Sequence, residues 1–191
     1  MLYCIRYEIA EYPDVLEHVS PWCAVFAEED LKILEFADDL KFYWKDGYGF
    51  DINWKMTQPL MAELSQKLSQ LLSGDPDTLP AYLYFGHSES TNNVLAALGL
   101  YKDTSPLIAS QWPSQDHLWQ TSKILSFSHN LALVAMQCPN MVEPLNILAF
   151  HQEKKVVIPA CGEELCPLTK FLDSIQDIVN VNFDEVCEYD G

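Results

Sequence analysis

Arginine is nearly missing from this 191-residue chain. Arg6 is the only one among 11 basic residues, which face 28 acidic residues for a formal net charge of −17. So acidic a surface repels nucleic acid and anionic membranes, which excludes both as partners. Long apolar runs are missing too: no stretch approaches the roughly 20 residues of a membrane span, and the longest, Leu131 to Met136, suits a strand. The opening "MLYCIRYEIA" has neither the basic start nor the apolar stretch of a signal peptide. There is no CxxC pair and no histidine at zinc-finger spacing, which argues against a zinc site. No Asn-x-Ser/Thr acceptor occurs, and the ending "CEYDG" is not an endoplasmic-reticulum retrieval signal. Internal repeats, low-complexity tracts and dividing linkers are also absent.

What remains is globular. Apolar residues make up 49% of the chain and aromatics 12%, enough for a sizeable core. Six cysteines (Cys4, Cys23, Cys138, Cys161, Cys166, Cys187) are scattered along it. Their spread and even number favour disulfides and an oxidising compartment over reduced core thiols in the cytosol. Disulfides without a leader lead us to expect a chain whose beginning is missing.

Periodicity predicts a helix over Glu28 to Asp46, with Leu31, Ile33, Leu34, Ala37, Leu40 and Trp44 inward and "DGYGF" as its stop. A second helix is expected to start near Thr57, with Pro59 in its first turn and Leu60, Met61, Leu64, Leu68, Leu71 and Leu72 inward. "AYLYFG" reads as a strand feeding a helix over Ser90 to Leu98, closed by Gly99. "NLALVAMQ" reads as a strand covered on both faces, and "LNILAF" with "KVVIP" as a hairpin. A last helix is expected from Pro167 to Val179, with Leu168, Phe171, Leu172, Ile175 and Val179 inward. Strands mixed with helices put the chain in the α/β or α+β class.

The strand-to-helix turn "YFGHSES" carries the chemistry-bearing residues, because amide N–H groups and the helix dipole converge at such junctions. It supports three readings. His87 and a serine at a helix start can simply serve as caps. A nucleophile elbow needs Gly-x-Ser-x-Gly, but Ser90 stands where the last glycine belongs. Asp116, His117, His129 and His151 are its downstream candidates for a triad, and no spacing selects among them. In the third reading His87 binds a phosphoryl oxygen and Glu89 protonates the leaving alkoxide. Local chemistry alone does not choose between them.

The segments "SPWCAVF", "DLKFYWKDGYGFDIN", "LYFGHSES", "LGLYKDTSPL", "LALVAMQC" and "KVVIPACGEELCPLTKFL" occur in one order and spacing. Together they resemble the histidine acid phosphatases, in the branch of the multiple inositol polyphosphate phosphatases and their phytase relatives. The resemblance runs from about Cys4 to Cys187, so residues 1–191 are read as the carboxy-terminal portion of one such domain. It implies a phosphoglycerate-mutase-like α/β fold, a mixed sheet flanked by helices and incomplete at its N-terminus. The substrate it implies is an inositol polyphosphate or another phosphomonoester, hydrolysed without metal or cofactor. Where that branch has His-Ala-Glu, this chain has His87-Ser88-Glu89: Glu89 matches the proton donor, His87 the phosphate-binding histidine, and Ser88 is a bystander. The resemblance also implies disulfides Cys4–Cys23 and Cys161–Cys166, with Cys138 and Cys187 unpaired in this chain.

The family's Arg-His-Gly-x-Arg-x-Pro nucleophile motif is absent, since Arg6 is followed by Tyr7 and Glu8. A partial sequence or truncated product accounts for this best; a decayed paralogue is the other reading. The chain alone is therefore expected to be inactive, and a non-catalytic luminal or secreted binding protein is the competing function. The resemblance places the protein in the secretory pathway: the endoplasmic-reticulum lumen, the extracellular space or the cell surface. Asp46 and Gln120 stand where relatives often carry cations, and an aspartate there costs about 1–3 kcal/mol per close phosphate contact. Lys45, Lys102 and Lys123 are the candidate compensating cations, with ordinary solvated surface as the alternative.

Overall fold

Acidic residues at one end and Lys45 at the other complement a helix dipole. In the computed structural model, which describes residues 26–112 and 116–188, α1 spans Glu28–Asp46 as the sequence predicts. Its N-terminus is tied by the Ala27 N–H, which donates to Asp30 Oδ2 at 2.9 Å. Gly47 ends it, where a Cβ would lie 2.7 Å from the Trp119 ring. The buried face differs from the expected one. Phe36, Asp39, Tyr43 and Asp46 are buried, whereas Ile33 is 49% exposed. Phe36, Tyr43, Trp119, Leu107 and Ile124 form a cluster against which Leu40 and Trp44 of the expected face also pack, so ring packing shifts the buried face without discarding the expected one.

A short helix α2 (Asp51–Lys55), not anticipated, leads to α3 (Gln58–Ser73). Thr57 stands at the boundary as expected, but its hydroxyl donates to the Trp54 carbonyl at 2.6 Å instead of capping α3. Met61 and Leu68 are buried and Leu64 and Leu71 pack against the core, while Leu72 is exposed. Gly74, with φ 72°, closes the helix.

The strand expected at "AYLYFG" does not form a ladder among the described residues. Its alternation survives in the side chains. Tyr82 and Tyr84 stack on the Lys67 ammonium of α3, whose distances to the ring centroids are 4.0 and 5.1 Å. Leu83 and Phe85, by contrast, are 79% and 93% exposed. No described strand lies beside this segment to supply the missing backbone partners. The next helix, α4, spans Ser88–Ala97, two residues earlier than its apolar pattern suggests, and Gly99 follows with φ 75°.

After a 3₁₀ turn at Ala109–Gln111 and a short α5 (Thr121–Ile124), the chain enters an antiparallel sheet. Strand β1 (Leu131–Gln137) pairs along the whole of β2 (Leu145–His151). On the other side of β2, β3 (Lys154–Val156) takes Ala149–His151 and β4 (Leu165–Pro167) takes Asn146–Leu148. The hairpin is as predicted, with Gln152 and Glu153 both at positive φ in its two-residue turn. Strand β1 exists, at an edge of the sheet among the described residues, but it is not covered on both faces: Val134 and Met136 are exposed. Strand β4 was not anticipated; three residues are too few for a periodic signal.

The expected last helix is two, α6 (Leu168–Ser174) and α7 (Gln176–Val179), broken at Ile175 where ψ reaches 0°. The final helix, α8, is Phe183–Cys187. Leu168, Phe171, Leu172, Ile175 and Ile178 face one core with Met61, Leu95, Ile147 and Ala149. Each fully buried side chain of this size contributes about 1.5–3 kcal/mol. This is the expected α/β class, an antiparallel sheet flanked by helices. Among the described residues Cys161 and Cys166 are disulfide-bonded and Cys138 and Cys187 are free. Cys4, Cys23 and Arg6 lie outside the described residues.

Candidate active site

Asn53 and Asn93 bring two helix ends together. The Asn53 amide donates to the carbonyls of Trp44 (3.1 Å) and Gly47 (3.0 Å), fixing α2 on the end of α1. Asn93 of α4 donates to the Asn53 carbonyl at 2.6 Å. The carboxy end of α1, carrying Lys45, thereby meets the amino end of α4, carrying Glu89. Each side chain suits the dipole of its own helix, and each suits the other.

Glu89 sits in the first turn of α4. Its Oε1 lies 3.5 Å from Lys45 Nζ, and its Oε2 accepts from the Ser88 hydroxyl at 3.0 Å. Its own backbone N–H and then Ser88 hold the carboxyl below its ordinary pKa; burial opposes them, and Lys45 adds a lesser lowering. His87 occupies the N-cap position with extended backbone (φ −86°, ψ 168°), and its exposed imidazole makes no hydrogen bond among the described residues. Only Ser88 separates an available imidazole from an anchored carboxylate.

Asp46 behaves otherwise than expected. It is only 5% exposed, with Oδ1 3.8 Å from Lys45 Nζ and Oδ2 without a hydrogen-bond partner. Burial pushes its pKa up; Lys45 opposes this and the Glu89 charge adds to it. It is therefore a buried carboxyl rather than a charge displayed to an incoming anion. Gln120 is half-buried at the N-cap of α5.

Of the three candidate lysines, Lys45 alone reaches Glu89. Lys102 Nζ lies 5.4 Å from the centroid of the Tyr48 ring. The Lys123 carbonyl accepts from the Gln152 amide at 2.8 Å. Neither of these lysines pairs with His87 or Glu89.

The nucleophile-elbow reading is overturned. The Ser88 hydroxyl donates to a carboxylate and has no imidazole partner among the described residues. His117 Nε2 is bound to the buried Asp39 at 2.8 Å, His129 Nδ1 to the Ser126 carbonyl at 2.9 Å, and His151 Nδ1 to the Tyr101 hydroxyl at 2.7 Å. Asp116 lines a crevice with His117, apart from Ser88. Ser88 is also no bystander, since it holds Glu89. Sequence reading missed this contact because the motif assigns chemistry only to its histidine and its acid. Among the described residues no group of three or more His, Cys, Asp or Glu side chains is arranged to hold a metal, and no helix is long and apolar enough to cross a membrane.

His87 at the N-cap and Glu89 in the first turn of α4 lie inside a segment that matches a known family. The profile of the histidine phosphatase superfamily (branch 2) matches residues 2–157, and the chain belongs to that family. Among individual relatives, it is 33% identical over 177 residues to multiple inositol polyphosphate phosphatase 1 of Gallus gallus, covering 88% of this chain and 40% of that protein. The Homo sapiens protein of the same name is 36% identical over 130 residues, or 65% of this chain and 27% of the relative. Phytase A of Aspergillus fumigatus is 25% identical over 177 residues, covering 84% and 38%. The chain thus spans about two fifths of the length of the curated relatives it matches.

Proposed function

We propose that this chain carries the proton-donor part of a phosphomonoesterase acting on inositol polyphosphates. Glu89 is the donor and His87 a phosphate ligand. The observation that supports this most is the anchored Glu89 carboxylate, two residues from an unengaged imidazole, inside a match to the histidine phosphatase family. In the complete reaction a histidine not present in these 191 residues attacks phosphorus. The P–O ester bond breaks with its electron pair on the alkoxide oxygen, which takes the proton of Glu89. Water then displaces the phosphohistidine nitrogen and leaves its proton on the Glu89 carboxylate.

In the empty site Glu89 favours the ionised form. A bound phosphate dianion would draw Lys45 away and repel the carboxylate, and both effects raise the pKa. Protonation then accompanies substrate binding. The disulfide supports a secretory compartment for the protein.

The test has two arms. The 191-residue chain should not hydrolyse phytate or a chromogenic phosphate ester, because it has no Arg-His-Gly motif. Millimolar phytate should nonetheless shift the His87 imidazole and the Ser88–Ser90 amide signals in an NMR titration. Turnover by the pure chain, or resonances at His87 and Glu89 that do not move, would overturn the reading. The second reading, binding without hydrolysis, rests on the missing motif. It predicts the same shifts, but no loss on Glu89→Gln when the chain is joined to a nucleophile-bearing segment. Under the first reading that substitution lowers kcat by about 10²–10⁴-fold.

A further inference from the structure

We infer that Ser88 is a positioning residue for Glu89: its hydroxyl pins one carboxylate oxygen so that the other is turned to Lys45, setting when the site's acid carries a proton. The inference rests on the reading of Glu89 as the donor. Three observations carry it. The Ser88 hydroxyl donates to Glu89 Oε2 at 3.0 Å and has no other bond among the described residues. Glu89 Oε1, at 3.5 Å from Lys45 Nζ, is held from the opposite side. Ser88 is the first helical residue of α4, beside an N-cap, His87, that makes no side-chain cap bond.

A free glutamate side chain spreads over several staggered rotamers and a broad terminal torsion. The Glu89 backbone N–H, the Ser88 hydroxyl and the Lys45 ammonium together narrow that choice. A hydroxyl donor to an ionised oxygen is a charge-assisted bond, which favours the deprotonated form specifically and is weakened when that oxygen is protonated. Ser88 therefore acts on the proton equilibrium as well as on position. The charged groups facing Glu89 are Lys45 and, behind it, Asp46 of α1. Those of α2, Asp51 and Lys55, pair with each other at 3.7 Å. His87 stands at the cap of the same helix. None of these is altered by changing Ser88, so the hydroxyl can be tested alone.

The probe is the titration of the Glu89 side-chain carboxyl carbon by NMR in the labelled 191-residue chain, which needs no turnover. Ser88→Ala should raise the Glu89 midpoint by about half a unit to one unit. It should also restore averaged side-chain couplings. Ser88→Thr, which keeps the hydroxyl, should leave the midpoint near wild type. A Ser88→Ala midpoint within about 0.2 units of wild type, or an equal rise in Ser88→Thr, overturns the inference. A variant that merely frayed α4 would show faster exchange at the Thr91 and Asn92 amides, and that result with an unmoved midpoint also counts against it. Should Glu89→Gln leave turnover intact in a nucleophile-bearing chain, the donor assignment fails while the Ser88 contact stands.

Discussion

At the scale of single residues, buried carboxylates carry the information that a linear reading cannot supply. Asp39 lies three residues after Phe36 and four before Tyr43, on their face of the helix, but its charge argues for solvent; it is nonetheless 1% exposed and bonds His117 at 2.8 Å and the Thr121 N–H at 2.5 Å. Asp39→Ala would leave both groups buried without a partner, an expected loss of about 2–4 kcal/mol in chemical denaturation. Asp46 works in the other direction. Its pKa is raised by burial, so its protonated form is favoured by folding. The stability it adds is fully present below the ordinary carboxylate value and is lost as pH rises through the folded value. Near neutrality the fold holds a charge whose Oδ2 has no partner. Asp46→Asn should therefore stabilise the protein by about 1 kcal/mol at pH 7 and change little at acidic pH. Melting temperatures at the two pH values check this, and an Asn variant no more stable at pH 7 would show the charge to be well solvated.

At the scale of elements, helices with strong end signals were legible and the sheet was legible only as a hairpin. Glu28–Asp46 and the helix after Thr57 follow from acidic starts, proline and glycine stops. The flanking apolar runs made the β2–β3 hairpin readable, but its two-residue turn at Gln152 and Glu153 and its register came only with the structure. Strand β4 was not readable, because its pairing with Asn146–Leu148 is set by a return of the chain through the Cys161–Cys166 loop. The segment after Pro80 has strand chemistry but lacks a neighbour among the described residues. Unpaired backbone amides exchange at the rate of open chain, so Leu83 and Phe85 should lose protection within seconds while Leu95 of α4 stays protected. Hydrogen exchange read by NMR distinguishes the two, and slow exchange at Phe85 would mean that a partner strand is present in solution. An exposed apolar strand also invites edge-to-edge association. Phe85→Lys should reduce concentration-dependent light scattering without lowering the melting temperature.

At the scale of the whole molecule, sign and amount of charge were plain from composition, but where cations stand relative to the site was not. Lysines 45, 102 and 123 were equal candidates by sequence, and α1–α4 packing brings one of them to Glu89. A polyanion approaching the site therefore meets the Lys45 ammonium beside Glu89 inside the field of a chain with net charge −17. The two effects have different ranges. At 0.01 M salt the screening length is about 30 Å, so the repulsion of the whole domain is felt; at 0.15 M it is about 8 Å, and chiefly the groups around Lys45 remain. Inositol polyphosphate binding should consequently tighten as salt rises from 0.01 to about 0.15 M. It should weaken only at higher salt, where the Lys45 contact is itself screened. Lys45→Met should abolish the decline at high salt and leave the initial rise. Affinities from a phytate titration across a sodium chloride series measure both limbs. A steady fall from the lowest salt upward would instead mean that local cations outweigh the field of the whole chain.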